Sequence, residues 1–260
     1  MNCAAFLRVL KKGLTDLLYP PHAVCAVCGD KRSLQSETDF VCLSCREKLL
    51  SYARPVDICE KCNQRMGRGK HVCRLMSLSG IAFAYPYSYA AARGAVRAIK
   101  FHSLPQIAGL LAPALSSCCR RFPVDVIVPV PLSAKRRGER GFNQSEEISA
   151  RVAALLGLAV DSSSLVRMRD TKAQSGLQKS KRRKNVSGAF GVNGGALSGK
   201  QVLLIDDVVT TGSTADACAK ALLAAGAKSV YLGAVCGTYR RRVSNAQGRK
   251  YISPHNVRSV

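Results

Sequence analysis

A chain of 260 residues with 47% hydrophobic content is sized for one α/β domain and a small appendage. Its 40 Lys and Arg against 16 Asp and Glu give a formal charge of +24, more than fold stability requires. Such a charge favours anionic partners, nucleic acid first, or else forms a solvated basic surface, and it does not identify a sequence-specific DNA reader. No segment approaches the roughly 20 apolar residues that would span a bilayer, and the first residues do not look like a signal peptide, so the expectation is a soluble, cytoplasmic protein.

Phe6, Val9, Leu10, Leu14, Leu17 and Leu18 recur at helical spacing, with Arg8, Lys11, Lys12 and Asp16 on other faces. This predicts an amphipathic helix within residues 1–19, docked on the protein's own surface or on a membrane surface. Residues 20–75 open with Pro20-Pro21, are rich in Cys, Arg and Lys, and lack long apolar stretches, as expected of a small module that folds around metal. Of the 12 cysteines, seven lie between Cys25 and Cys73, and six of those form Cys-x-x-Cys pairs, which favours metal ligation over disulfides. Cys25-x-x-Cys28 followed by Cys42-x-x-Cys45 has the spacing of a four-thiolate zinc site, because each pair sits on a knuckle that offers both sulfurs to one ion. Cys59, Cys62, His71 and Cys73 suggest a second zinc, and crossed pairing of Cys25 and Cys28 with Cys59 and Cys62 stays open. Cys3, Cys118, Cys119, Cys218 and Cys236 read as small apolar residues.

Beyond a boundary near Leu75 to Gly80, residues 76–238 read as an α/β domain. Ala82 to Tyr89 predicts a strand or hairpin, Ala91 to Phe101 a helix, and Leu104 to Cys119 another. Val124 to Val130 has the β-branched pattern of a buried parallel strand. A loop bearing Lys135, Arg136, Arg137 and Arg140 follows, then a helix over Asn143 to Leu156. Arg167 to Ala189, with Lys179, Lys181, Arg182, Arg183 and Lys184, predicts a mobile loop or extended arm. The strand Val202 to Ile205, the turn Asp206 to Thr214, the helix Ala215 to Ala225 and the strand Ser229 to Val235 make a βαβ unit, with Gly226 placed to end the helix. Residues 239–260 hold Arg240, Arg241, Arg242, Arg249, Lys250 and Arg258 and no acid, and are expected to be a partly disordered basic tail.

The run Val202 to Thr214 joins an apolar strand, two adjacent acids and a hydroxyl-rich turn to a helix start. A helix N-terminus presents unpaired N–H groups and the positive end of the macrodipole to a phosphate. Thr210, Thr211, Ser213 and Thr214 add hydroxyl donors, Gly212 admits close backbone approach, and Asp206 and Asp207 can accept from vicinal sugar hydroxyls. Together they describe a site for a sugar 5-phosphate. Gly194 to Gln201 nearly spells a P-loop, but Gln201 follows the lysine and a strand rather than a helix begins there, which argues against ATP hydrolysis by this route.

These thirteen residues resemble the ribose-phosphate loop of type I phosphoribosyltransferases, with Asp206 and Asp207 on the ribose and Thr210, Thr211, Gly212, Ser213 and Thr214 around the 5-phosphate. More of the chain resembles the ComF family of competence-associated phosphoribosyltransferase-like proteins: Val128-Pro-Val-Pro131 with Arg140-Gly-Phe-Asn-Gln144, Leu165 to Phe190, the Lys100-Phe101 pair, and the amino-terminal cysteines, which resemble a double zinc ribbon. The resemblance implies a type I phosphoribosyltransferase-like parallel sheet flanked by helices, preceded by a zinc-ribbon module. It implies Mg²⁺-bound phosphoribosyl pyrophosphate as ligand, with Pro131, Leu132, Arg136 and Arg140 at the pyrophosphate, aided by Arg137. Arg167, Thr171, Gln174, Arg182 and Asn185 match the family's flexible catalytic loop, although this segment reads equally as a nucleic-acid arm or a solvated loop. The family's second ribbon closes with another Cys-x-x-Cys, whereas here Lys70 stands in place of a thiolate, so His71 replaces it or the site is degenerate. Two functions are implied: single-stranded DNA binding in support of DNA uptake, with a helicase partner, or metabolic transfer to a base or amine read by residues 76–105. No catalytic base can be named.

Overall fold

The computed structural model describes residues 24–30, 40–53, 58–64, 73, 76–169 and 188–238. The expected amphipathic helix, His71, Thr171, Gln174, Arg182, Asn185, the lysine-rich run 179–184 and the basic tail lie outside the described residues.

The elements run α1 (Leu43–Leu50), β1 (Gly80–Pro86), α2 (Ala90–His102), a 3-10 turn (Pro105–Ile107), α3 (Ala108–Cys119), β2 (Val126–Pro129), α4 (Ala134–Arg140), α5 (Gln144–Leu156), β3 (Ala159–Val160), β4 (Leu165–Arg167), β5 (Phe190–Val192), β6 (Gln201–Val209), α6 (Ser213–Ala224) and β7 (Ser229–Gly237). Five strands form a parallel sheet in the order β1-β7-β6-β2-β3, and β4 and β5 make a separate antiparallel ribbon. Because the central strands are covered on both faces, they read as continuous apolar runs rather than as alternating ones. On one face Leu203 and Ile205 pack with α2, α3 and α5; on the other Val202 and Leu204 pack with α6 and the ribbon. Each fully buried aliphatic side chain, such as Ile127 or Leu203, contributes roughly 1.5–3 kcal/mol.

Several sequence expectations are corrected. The basic segment read as a loop is the helix α4, started by Ser133, whose Oγ accepts from Arg136 N at 3.4 Å, and ended by Gly141 at φ 80°. The strand expected to stop at Ile205 continues through both acids to Val209, its ladder to β7 holding Asp206 opposite Ala234 and Val208 opposite Cys236. The helix expected over Leu104 to Cys119 begins as a 3-10 turn, and the short strands β3, β4 and β5 were not anticipated. Cys118, Cys119, Cys218 and Cys236 are buried, as small apolar residues should be.

The cysteine module is seated directly on this domain. The last carbonyls of a helix lack intrahelical donors, and in α1 two of them find tyrosines: Tyr85 Oη donates to Leu49 O and Tyr89 Oη to Lys48 O, both at 2.7 Å. Tyr52 packs against both rings, its centroid 5.2 Å from Tyr85 and 4.8 Å from Tyr89, which stack on each other at 5.9 Å. Opposite, a Cβ on Gly94 of α2 would collide with Val27 O, so the first cysteine knuckle rests on α2 where only glycine fits.

Candidate functional site

Strand β6, central in the sheet, delivers the two acids toward the sheet's carboxyl end. Successive side chains on a strand point to opposite faces, so Asp207 continues the face of Leu203 and Ile205 while Asp206 continues that of Val202 and Leu204. Asp207 is buried, and its Oδ2 lies 2.7 Å from Lys100 Nζ, which arrives from the last turn of α2. Asp206 is half-buried and accepts a side-chain hydrogen bond from Ser145, at the start of α5. Burial, and next the neighbouring Asp207, push the Asp206 carboxyl well above the usual carboxylate range, while Lys100, the Asp207 N–H and Ser145 oppose the shift.

The turn that follows is shaped for a small anion. Gly212 caps α6 at φ 76°, a left-handed conformation that costs glycine nothing, and its carbonyl accepts the first helical bond from Asp216 N at 2.9 Å. Thr211 Oγ1 and Ser213 Oγ are 2.9 Å apart, and Ser213 N donates to Thr211 Oγ1 at 3.4 Å, so the hydroxyls are already gathered at the helix start. Thr211, Gly212, Ser213 and Thr214 are half-buried, and Thr210 is exposed. The chain leaving the cysteine module crosses this turn: Ser77 N donates to Asp216 Oδ1 at 3.0 Å, and the Met76 methyl lies 3.1 Å from where a Cβ on Gly212 would stand.

On the neighbouring strand, Val130 N donates to Ile205 O at 2.9 Å, which sets Pro131, Leu132 and α4 beside the acids. Of the expected pyrophosphate cations, Arg137 is committed elsewhere, in a two-bond contact with Glu146 at 2.7 and 3.1 Å. Arg136 is half-buried. Arg140 donates to Gln144 Oε1 at 2.9 Å, and its guanidinium lies 5.7 Å from the Phe101 ring centroid. Burial lowers the Arg140 pKa, an effect that the Asp207 charge opposes. Arg167 ends β4, pairs with Phe190 and stacks on its ring at 5.4 Å, at the mouth of the undescribed segment 170–187. Lys100 was noticed in the sequence but not assigned to this site, and Ser145 was missed; Ser145 follows directly on the Arg140 to Gln144 run, which was the available signal.

The cysteines form two groups. The Sγ atoms of Cys25, Cys28, Cys42 and Cys45 all lie within 4.8 Å of one another, and those of Cys59, Cys62 and Cys73 do likewise. The first pairing is therefore uncrossed. A tetrahedral zinc with bonds of about 2.3 Å spaces its sulfurs about 3.8 Å apart, and Cys28 and Cys42 stand 3.9 Å apart, Cys59 and Cys73 3.6 Å. Backbone N–H groups of Cys42 and Cys45 point at Cys25 Sγ and Cys42 Sγ at 3.4 and 3.5 Å, ready to stabilise thiolates. Burial raises the Cys28 and Cys45 thiols, so the charge a bound ion supplies is what would hold them deprotonated. The first quartet fits zinc completely; the second offers three thiolates.

Comparison with known proteins agrees with this architecture. A Phosphoribosyl transferase domain model matches residues 145–257, and a Double zinc ribbon domain model matches residues 14–77. "DNA utilization protein YhgH" of Salmonella typhimurium is 33% identical over 223 residues, 83% of this chain and 90% of that protein. "Competence protein ComFC" of Bacillus subtilis is 29% identical over 216 residues, 81% of this chain and 82% of its own. "Competence protein F" of Haemophilus influenzae is 33% identical over 108 residues, 41% of this chain and 47% of its own. The parallel sheet, its hydroxyl-rich turn and the amino-terminal cysteines thus define a type I phosphoribosyltransferase-like protein with a double zinc ribbon. Within that class, the chain belongs to the ComF family. No helix among the described residues is long and apolar enough to cross a membrane.

Proposed function

We propose that this protein binds phosphoribosyl pyrophosphate at the end of β6 and that this binding serves DNA uptake in competence, with single-stranded DNA as its macromolecular partner. The observation that carries the ligand is the continuous path from Asp206 and Asp207 through a left-handed Gly212 into the start of α6, with the Thr211 and Ser213 hydroxyls 2.9 Å apart. The 5-phosphate takes main-chain N–H groups and hydroxyls from Thr210 to Thr214, where the helix dipole adds its field. Asp206 and Asp207 accept from the ribose hydroxyls. Arg136 and Arg140, with the turn at Pro131 and Leu132, face the pyrophosphate, for which guanidinium forks are suited. Arg167, at the end of β4, stands at the base of the loop that carries Gln174 and Arg182 and that closes over it. Mg²⁺ bound together with the ligand would neutralise charge on the diphosphate.

The DNA-handling part rests on the +24 charge and on relatives whose names are "DNA utilization protein" and "Competence protein". A DNA-uptake helicase is the protein partner we infer, and the cytoplasm is the compartment. Zinc fills the first quartet, and His71 completes a second with Cys59, Cys62 and Cys73.

Calorimetric titration with phosphoribosyl pyrophosphate and Mg²⁺ tests the ligand. Saturable binding to the native chain that is lost in the double variant Asp206→Asn, Asp207→Asn supports the reading, and unchanged affinity in that variant overturns it. Release of pyrophosphate on addition of a base or amine acceptor would assign metabolic transfer instead.

A further inference from the structure

We propose that Lys100 is a ligand-binding residue of this site that exchanges counter-ions: it neutralises Asp207 while the site is empty and moves to the diphosphate of the ligand when the site fills. This rests on the reading of the site as one for phosphoribosyl pyrophosphate.

The ion pair spans 2.7 Å between Lys100 Nζ and Asp207 Oδ2, with the lysine side chain 20% exposed and the aspartate side chain 6% exposed. An ionised carboxylate that far from water needs a partner, and removing one partner of such a pair is far costlier than never having placed it. Asp207 therefore requires a cation in the ligand-free protein. When a ribose arrives, its vicinal hydroxyls donate to the same carboxylate oxygens, so their hydrogen bonds replace part of what the ammonium supplies and the lysine is freed to move. The charge that leaves Asp207 has a destination, because the same ligand delivers a diphosphate. Lys100 is suited to the move: its ammonium rides on a flexible four-carbon stem, rooted in the last turn of α2 just before Ser103 ends the helix in a left-handed conformation at φ 54°.

The neighbouring residue supports the same placement. Phe101 is 68% exposed, and the Arg140 guanidinium lies 5.7 Å from its ring centroid. Consecutive residues at the end of α2 thus hold one cation on the acid and support a second, Arg140, on the side from which the pyrophosphate-facing turn comes. Both cations feel the Asp207 charge. The pairing could not be read from sequence, because the partners are far apart in the chain and neither belongs to a local pattern that names the other.

The test is calorimetry on the zinc-loaded full chain with two probes, phosphoribosyl pyrophosphate and ribose 5-phosphate, for the native protein, Lys100→Gln and Lys100→Arg. Gln keeps a donor for Asp207 without the charge, so the fold survives even if Lys100→Met does not; melting curves confirm it. We expect Lys100→Gln to weaken phosphoribosyl pyrophosphate by at least about tenfold, one charge-assisted hydrogen bond, to leave ribose 5-phosphate within about twofold of native, and Lys100→Arg to restore most of the loss. Equal weakening of both probes would mean that Lys100 only shapes the acid pair, and unchanged affinity for both would remove it from the site; either result overturns the proposal while leaving the ligand reading intact. Failure of the native protein to bind phosphoribosyl pyrophosphate would overturn that reading, and this one with it.

Discussion

Asp206 carries a cost that its neighbours only partly offset. Its carboxyl is raised, first by burial and then by Asp207, so the folded protein binds a proton more readily than the unfolded chain, whose aspartate titrates near 3.9. Stability from this group is therefore complete below the unfolded value and is lost as pH rises through the folded one. Asp206→Asn should consequently melt higher than the native protein at about pH 8, on the order of 3 °C for a gain of roughly 1 kcal/mol, with the difference vanishing near pH 4. A ligand-binding residue that is also a stability defect gives opposite signs in the two assays, which thermal melting and calorimetry on one sample would display. Lys100 shows the limit of reading at this scale. The acids and hydroxyls were legible because they sit in one run of thirteen residues, whereas the cation that faces Asp207 comes from another helix and is found only through distance.

Elements were legible where hydrophobic pattern and capping agree. The helix α5 was read correctly to within a residue because Asn143, whose Oδ1 accepts from Ser145 N at 3.0 Å, is an N-cap, and Glu146 and Glu147 fill its first turn. Asn143 is also buried and donates to Val130 O at 3.0 Å. Asn143→Ala should then cost more than the ~1 kcal/mol of an ordinary cap, since it frees a buried carbonyl of the turn after β2; chemical denaturation measures this. The strand β6 was read short because two acids look like the end of an apolar run, yet backbone pairing with β7 continues past them. The basic stretch before Gly141 was read as a loop because it has no apolar face: α4 buries none of its residues, and its only local signals are Ser133 and Gly141. Strands as short as β4 and β5, three residues each, carry no period to detect.

At the scale of the molecule, metal, fold and charge each predict a measurable outcome. Zinc content by elemental analysis should be two per chain, falling to one in Cys25→Ser and, separately, in His71→Ala. Gly94→Val should lower the melting temperature, because its side chain would meet Val27 O and overpacking of this kind costs roughly 1–3 kcal/mol. Single-stranded DNA affinity should fall steeply with salt, the logarithmic slope counting the phosphates neutralised, and removal of the Lys179 to Lys184 charges together with the tail arginines should flatten it. The four-thiolate site was legible from spacing alone; the way its module meets the sheet was not, since it depends on a glycine and two tyrosines with no common pattern.

That seat against α2 decides how the protein can be cut. Trimming the chain to residues 76 onward would take Cys25, Val41, Cys42, Cys45 and Leu49 out of the core cluster they share with the domain, and would leave the Tyr85 and Tyr89 hydroxyls without the carbonyls they now serve. The expected product is a sticky, self-associating fragment rather than an isolated transferase domain. The cysteine module is thus less a detachable DNA-binding head than the lid of the domain's own core.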